Sequence, residues 1–192
     1  MNEALPALLV IDIQESFRVA PRWQGRNNPA FEDNVARLIA AFRERKLPVI
    51  FVLHSEPGSH DSFDPAQGYV RLQDFLERHE GEALLTKTTR GVFASTDLGA
   101  HLQALGVGRL VISGIQTEQC CETTAREGGD RGYAVDFVTE ATRTFPIAHW
   151  AAGPTLEPDA IVERTEYALA GRFATIRTVD EVIATLPRGV VA

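Results

Sequence analysis

Cysteine is scarce in this sequence of 192 residues, which has two cysteines, and these are neighbours at positions 120 and 121. Adjacent cysteines with no others in the chain build neither a disulfide framework nor a Cys-x-x-Cys redox or zinc site. Because reduced thiols are typical of the cytoplasm, this usage favours a cytoplasmic location. The stretch from Met1 to Pro6 has no positively charged segment of the kind that begins a secretory signal, which supports the same expectation.

The sequence also lacks long apolar runs and basic clusters. No apolar run approaches the roughly 18 residues needed to cross a bilayer. The formal net charge is −7, with 19 Lys and Arg against 26 Asp and Glu, and no basic face interrupts it. We therefore expect neither a nucleic acid nor a membrane as a partner. Repeats, low-complexity segments and linkers are absent too, so we expect one domain over residues 1–192.

Six short apolar runs alternate with segments that show helical periodicity. Apolar runs of this kind are typical of buried parallel strands, and helices between them imply right-handed crossovers with helices on both faces of the sheet. Helices are predicted from Phe31 and, as a short element, around Leu72, Phe75 and Leu76. We expect a single three-layer α/β/α domain with a six-stranded, mainly parallel sheet in the Rossmann-like order 3-2-1-4-5-6. The predicted strands are 7–11, 49–53, 83–86, 110–112, 134–138 and 173–176.

Three chemically distinct side chains follow the ends of predicted strands. Asp12 closes strand 1, Lys87 closes strand 3, and Cys120 follows strand 4. In the expected order strands 1 and 4 are neighbours, about 4.8 Å apart, while strand 3 lies about 10 Å from strand 1. The long stem of a lysine can span that gap. The three groups are therefore expected to meet at one carboxyl edge.

The segment around the cysteines predicts an activated thiol. Thr117 is a candidate N-cap, which would place Cys120 in the first turn of a helix, among unsatisfied backbone N–H groups at the positive end of the helix dipole. Such an environment, with a lysine nearby, favours the thiolate. Cys121 is predicted to face the core. It would share a small inner helix face with Thr124, Ala125 and Gly128.

Three motifs carry a family resemblance: residues 9–14 with Phe17, residues 87–98, and residues 114–120 with the Thr-Ala pair at 124–125. In this order they resemble the isochorismatase-like cysteine hydrolases, a superfamily that includes nicotinamidases and N-carbamoylsarcosine amidases. The resemblance implies that Asp12, Lys87 and Cys120 form a catalytic triad. It also implies a non-proline cis peptide at Ile115–Gln116, in the turn that holds the oxyanion, and assembly into homo-oligomers, as dimers or tetramers.

These residues predict a hydrolase that cleaves a C–N bond of a small amide, carbamoyl or ureido compound. Cys120 would attack the carbonyl carbon to form a thioester, with Asp12 moving the proton and Lys87 keeping Asp12 ionised. Two alternatives stay open. One is vinyl-ether hydrolysis of an isochorismate-like substrate, for which an acidic Asp suffices. The other is a non-catalytic redox or binding module that uses the adjacent thiols.

The substrate is expected to be a small molecule, and its pocket is assembled from loops without a common signature. The candidate pocket residues are Gln14, Phe17, His54, Phe63 and Trp150. Nicotinamidase-type relatives bind a divalent ion through an Asp-x-His pair after strand 2, where this sequence has His54-Ser-Glu56 in the reverse order. We expect no cofactor, with a divalent metal at His54 and Glu56 as the alternative.

Overall fold

The computed structural model describes residues 4–187, and its framework is a sheet of six strands that all run parallel. The strand order is β3-β2-β1-β4-β5-β6, which confirms the predicted topology. Continuous apolar runs form the central strands because both faces of a parallel sheet are covered by helices. The strands are β1 (Leu5–Ile11), β2 (Val49–His54), β3 (Ala83–Lys87), β4 (Val107–Ile115), β5 (Ala134–Arg143) and β6 (Thr175–Ile176).

The helices largely follow the predicted periodicity. The last of them starts with a capping box, in which Thr178 and Glu181 satisfy each other's backbone N–H groups. One predicted helix is wrong, because residues 71–76 form turns and a single bridge between Leu72 and Gln14. No helix of the described residues is long and apolar enough to cross a membrane. The helices are α1 (Glu15–Arg18), α2 (Phe31–Glu44), α3 (Leu98–Ala104), α4 (Glu122–Asp130), α5 (Pro158–Leu169) and α6 (Val179–Thr185).

Alternation along β1 divides the core into two layers. Leu8 and Val10 pack on the side of α2 and α6, whereas Leu9 and Ile11 pack on the side of α3, α4 and α5. All four side chains are fully buried. Since successive side chains of a strand point to opposite faces, one apolar run supplies both layers and holds the sheet between them.

The carboxyl edge of the sheet has an unusual backbone where β1 meets β4. Asp12 adopts a left-handed conformation with φ of 54°, which turns the chain sharply at the end of β1. Opposite it, Gly114 has φ of 140°, and a Cβ atom there would lie 2.1 Å from the carbonyl oxygen of Ile11. Only glycine lets the two strands approach so closely at this point.

Candidate active site

The structure brings Asp12, Lys87 and Cys120 together at this edge. Lys87 Nζ lies 2.8 Å from Asp12 Oδ2 and 3.3 Å from Cys120 Sγ. Asp12 and Lys87 are completely buried, and Cys120 is 4% exposed. Lys87 reaches this position from β3 by extending over the end of β2, so the three side chains come from three separate segments of the chain.

The hydrogen bonds of Lys87 account for all three donors of its ammonium group. It donates to His54 Nδ1 at 3.2 Å, to the carbonyl oxygen of Thr89 at 3.1 Å and to Cys120 Sγ. The close contact with Asp12 is therefore one of charge. Both Asp12 carboxylate oxygens lack a well-aligned hydrogen bond from any described residue, which leaves them available to accept a proton.

Burial dominates the electrostatics of Asp12. Removal from water raises the pKa of its carboxyl group, while the charge of Lys87 and the nearby Cys120 thiol lower it. Without the Lys87 ammonium, a carboxylate with no solvent contact would take up a proton instead of staying charged. Lys87 is thus the group that favours an ionised Asp12.

The surroundings of Cys120 oppose the thiolate that the sequence predicts. Burial, and after it the negative charge of Asp12, raise the pKa of the Cys120 thiol to about 12, because Lys87 offsets only part of their effect. At neutral pH the thiol therefore keeps its proton. A reaction at this sulfur therefore requires a nearby group that accepts the thiol proton. Asp12 is such a group, because its carboxylate is close enough to Cys120 to affect the pKa of the thiol.

The turn before the cysteine also differs from the predicted helix cap. Residues Thr117–Cys121 form a π-helical turn, in which the Cys121 N–H donates to the carbonyl oxygen of Gln116, five residues earlier. The Thr117 hydroxyl does not cap this turn but donates to Thr142 Oγ1 at 2.8 Å. The wider turn places Thr117 against β5 and delays the start of α4 to Glu122. The peptide bond between Ile115 and Gln116 is cis.

Cys121 faces the core, as predicted. Its side chain is fully buried, together with Thr124, Ala125 and Gly128 of α4. A Cβ atom at Gly128 would lie 3.0 Å from Leu110 Cδ1, so the small inner face lets α4 pack close to the sheet. The two adjacent thiols therefore have different surroundings, and of the two only Cys120 lines the cavity described below.

His54 connects Lys87 to a polar cluster at the end of β2. Because an ammonium group only donates, His54 Nδ1 accepts the hydrogen bond from Lys87. Nε2 lies 2.8 Å from Glu56 Oε1, and this oxygen also accepts from Arg90 Nη1 at 3.1 Å. Burial, and then the charge of Lys87, lower the pKa of His54, which keeps the ring neutral.

These contacts bear on the alternative of a metal at His54 and Glu56. Arg90 Nη1 lies 2.7 Å from His54 Nε2, so a guanidinium already supplies positive charge beside the two candidate ligands. No group of three or more His, Cys, Asp or Glu side chains suited to a metal ion occurs among residues 4–187. The residues present do not fit the metal site that the nicotinamidase-type resemblance suggests.

A cavity of about 110 Å³ opens above Cys120. Three of the candidate pocket residues, Phe17, His54 and Phe63, line it, and the Phe17 and Phe63 rings meet edge to face with centroids 4.9 Å apart. Ten residues line the cavity in all: Phe17, Arg22, His54, Glu56, Asp61, Phe63, Arg90, Gln116, Gln119 and Cys120.

Two predicted pocket residues lie elsewhere. The Gln14 side chain is fully buried, and its amide exchanges hydrogen bonds with the backbone N–H and carbonyl of His54, at 2.7 and 2.9 Å. It therefore fixes the position of His54 instead of lining the cavity. Trp150 is 93% exposed, since the chain turns outward after Phe145, whose ring stacks on Phe17. The position of Trp150 after strand 5 did not predict whether it lines the cavity, because the path of a loop does not follow from its composition.

Sequence reasoning missed the two arginines of the cavity. Arg22 belongs to a 3₁₀ turn, Pro21–Gly25, within a segment whose breakers predicted only a loop, and Arg90 lies within the motif at residues 87–98 but was given no role there. Exposed arginines are common, so neither had a local signal. Their positions in the cavity depend on how these loops fold over the sheet edge.

A larger open groove, of about 540 Å³, lies at the opposite, amino end of the strands. Its one carboxylate, Asp136, is bound by Arg109 and Arg177. The described residues that line it include no cysteine, serine or histidine. The groove therefore lacks the nucleophile found above Cys120, and the smaller cavity is the better candidate for an active site.

Taken together, the fold and the site define an α/β/α protein with a buried carboxylate, ammonium and thiol at the carboxyl edge of its central strands. The Isochorismatase domain model matches residues 6–157, and the chain belongs to the isochorismatase family of hydrolases.

Three comparisons describe its place in that family. The chain is 29% identical over 182 residues to the isochorismatase family protein YrdC of Bacillus subtilis, covering 94% of this chain and 96% of that one. It is 31% identical over 157 residues to Nicotinamidase 3 of Arabidopsis thaliana, covering 75% and 76%. The crystal structure of an isochorismatase-family protein from Chromobacterium violaceum superposes with a TM-score of 0.90 and 30% identity, covering 97% of this chain and 95% of that one.

Proposed function

We propose that this hydrolase cleaves the C–N bond of a small amide, carbamoyl or ureido compound through a thioester acyl-enzyme on Cys120. The observation that carries the proposal is the position of Cys120 Sγ on a cavity, 3.3 Å from a Lys87 ammonium that lies 2.8 Å from Asp12. A nucleophile, a proton acceptor and a cation that keeps the acceptor charged are the groups that acyl transfer requires.

In the first step Cys120 Sγ attacks the carbonyl carbon of the substrate, and a C–S bond forms. Because the thiol is protonated at rest, its proton passes to the Asp12 carboxylate as the bond forms. Negative charge develops on the carbonyl oxygen. We assign its stabilisation to the backbone N–H groups of Gln116 and Cys120, two residues that line the cavity.

In the second step the C–N bond breaks, and Asp12 passes its proton to the leaving nitrogen. Asp12, ionised again, then takes a proton from water as the water attacks the thioester carbonyl. The C–S bond breaks, and the sulfur recovers its proton from Asp12. Lys87 keeps its proton throughout, and its positive charge stabilises the negative charge of Asp12 and of the leaving sulfur.

We also propose that the chemistry proceeds without a metal ion. Arg90 supplies a positive charge at the pair formed by His54 and Glu56, and His54 uses Nδ1 to accept a hydrogen bond from Lys87. His54 then acts as a positioning residue for the Lys87 ammonium. Metal analysis of purified protein, with activity assayed before and after chelation, tests this point.

Two observations favour the amidase proposal over a redox module. Cys121 faces the core, so the adjacent thiols do not present a joint site. Redox-sensing cysteines are accessible and have a low pKa, whereas Cys120 is nearly buried and has a raised one. Nicotinamidase 3, a relative by sequence, carries an amide-hydrolase name, which also supports the amidase proposal.

The test is intact-mass analysis of the protein mixed with small amides, carbamoyl compounds and ureides, with released ammonia or amine followed in parallel. Wild type should show turnover or an acyl adduct, and Cys120→Ala should show neither while it keeps its fold. Cys121→Ala is the matched control, because it removes the adjacent thiol and should retain turnover. Turnover by Cys120→Ala would overturn the proposal and favour an acid-catalysed reaction on Asp12.

A further inference from the structure

The loop that follows Lys87 supplies two contacts to the site. Residues 88–97 form turns and bends and contain no helix or strand. In this loop the carbonyl oxygen of Thr89 accepts a hydrogen bond from Lys87 Nζ at 3.1 Å, and Arg90 Nη1 lies 2.7 Å from His54 Nε2. Because the loop belongs to no regular element, its contacts with neighbouring elements decide where these groups lie.

Thr124 on α4 contacts both this loop and the nucleophile. Its hydroxyl donates to the carbonyl oxygen of Cys120 at 2.7 Å and accepts from the backbone N–H of Val92, in the loop, at 3.3 Å. The Thr124 side chain is fully buried, so water does not compete for either bond. One hydroxyl group thereby joins the main chain at Cys120 to the main chain of the loop that contacts Lys87.

A second contact between the loop and α4 lies one turn further along the helix, on the same face as Thr124. Glu127 Oε2 accepts from the backbone N–H of Phe93 at 3.2 Å. The Glu127 carboxylate fills the space beside Gly91, where an added Cβ atom would lie 2.2 Å from Oε2. The absence of a side chain at position 91 therefore lets two successive N–H groups of the loop bind one face of α4.

From these contacts we propose that Thr124 and Glu127 are positioning residues. They hold the loop after Lys87 against the helix that follows Cys120, and so set the distance between the ammonium and the sulfur. This inference rests on the proposed function, in which the Lys87 charge stabilises the sulfur as the C–S bond breaks. A displacement of about 1 Å can lower a rate by about 100-fold, so two side chains that touch no reacting atom can still control kcat.

Removal of the Thr124 hydroxyl at nearly constant shape tests the proposal. On the amide, carbamoyl or ureido compound that wild type turns over, Thr124→Val should lower kcat by about 10- to 100-fold with little change in KM, and Thr124→Ser should restore most of the loss. The matched control is Thr165→Val, which should keep kcat, because Thr165 is also fully buried but donates to Glu122 Oε2, at 3.2 Å, and not to the loop. An unchanged kcat in Thr124→Val, or no recovery in Thr124→Ser, would overturn the inference.

Alkylation of Cys120 provides a readout that needs no turnover. In Cys121→Ala, iodoacetamide reacts with Cys120 alone, and the rate depends on the thiolate form, which the charge of Lys87 favours. Addition of Thr124→Val should slow this reaction by about 5- to 10-fold at each pH, the effect of moving the ammonium about 1 Å away. Addition of Thr165→Val should not slow it. An unchanged or faster reaction in Thr124→Val would show that the hydroxyl only supports packing, and the inference would fail.

A pair of variants at Glu127 keeps the inference testable if Thr124→Val does not fold. Glu127→Gln retains an oxygen that accepts from the Phe93 N–H, whereas Glu127→Met removes it. Relative to Glu127→Gln, Glu127→Met should lower kcat and the alkylation rate by about 3- to 10-fold, the range for one hydrogen bond. Equal rates in the two variants would overturn the inference. Failure of the proposed function is distinct, since wild type then shows neither adduct nor turnover, while the alkylation rates still decide the inference.

Discussion

Lys87 Nζ lies 2.8 Å from Asp12 Oδ2, and neither side chain has any exposure to solvent. A buried ion pair of this kind adds little stability over an apolar pair, because desolvation cancels most of the attraction. Removal of one partner is costly, since it leaves an unpaired charge in the interior. The pair is better explained by chemistry, as a carboxylate kept ready to accept a proton.

A double-mutant cycle should measure this coupling. We expect Asp12→Asn and Lys87→Met each to lower the free energy of unfolding by about 3–5 kcal/mol, and the double variant to lose much less than their sum. All three should lose at least about 10²-fold in kcat, the contribution of a positioned acid or base. Urea denaturation and steady-state kinetics provide the data. Additive stability losses would show that the two charges do not interact.

The pH dependence of alkylation should report the raised pKa of Cys120. Only the thiolate reacts with an alkylating reagent, and the pKa of the Cys120 thiol is raised to about 12. The rate of reaction with iodoacetamide should rise about 10-fold per pH unit from neutral pH to pH 10 without levelling. It is measured in Cys121→Ala, so that the reaction is that of Cys120. A model cysteine peptide should level near its pKa of about 8.5. A plateau for Cys120 near pH 7 would show instead that the resting group is a thiolate.

The raised pKa of Cys120 should also make the folded protein less stable at alkaline pH. The folded protein holds the thiol proton more tightly than the unfolded chain, whose thiol has a pKa near 9.0. This contribution to stability is complete below pH 9 and is lost as the pH rises toward 12. Cys120→Ala should therefore reduce the alkaline loss of stability, as followed by thermal unfolding between pH 8 and 10.

His54 should control the acid limb of activity and stability. Its pKa is lowered, so the unfolded chain takes up the proton first, and stability should fall as the pH decreases below about 6.5. Protonation would also remove the acceptor for Lys87 and add a like charge. His54→Gln should lower kcat about 10-fold or more, with little change in KM, and weaken the acid dependence of stability. Chemical denaturation between pH 4.5 and 7.5 tests the stability arm, and an unchanged acid limb in the variant would exclude His54 as its source.

Phe63 and Trp150, two of the aromatic side chains predicted from the sequence to line the pocket, should behave differently. Phe63 is buried against Phe17, so Phe63→Ala should cost about 3 kcal/mol in stability and raise KM. Trp150 is exposed, and Trp150→Ala should change stability by no more than about 0.5 kcal/mol and leave kcat/KM unaltered. Thermal unfolding and kinetics of the two variants compare them directly. A large loss of activity in Trp150→Ala would show that Trp150 contributes to the substrate site.

The sequence anticipated the sheet better than the loops. Apolar runs that end in Asp12 and Lys87 placed the two charges at the carboxyl edge, because parallel strands share that edge and a lysine stem can span the neighbouring strand. The short helix expected around Leu72 is absent, since a few leucines at helical spacing also suit turns that pack on a core. Thr117 suited an N-cap by residue type, but the π-helical turn directs its hydroxyl to Thr142.

By itself, then, the sequence predicted the three-layer fold and the three groups that meet at the edge, while the strand order was chosen as a common solution for this alternation. These follow from local periodicity and from topological rules that apply to any βα alternation. Only the tertiary structure decided that burial raises the pKa of Cys120, that His54 contacts Arg90 and Glu56, and that Arg22 and Arg90 line the cavity. Burial and loop path decide these properties, because the pKa of a group and the direction of a side chain depend on neighbours that are distant in the chain.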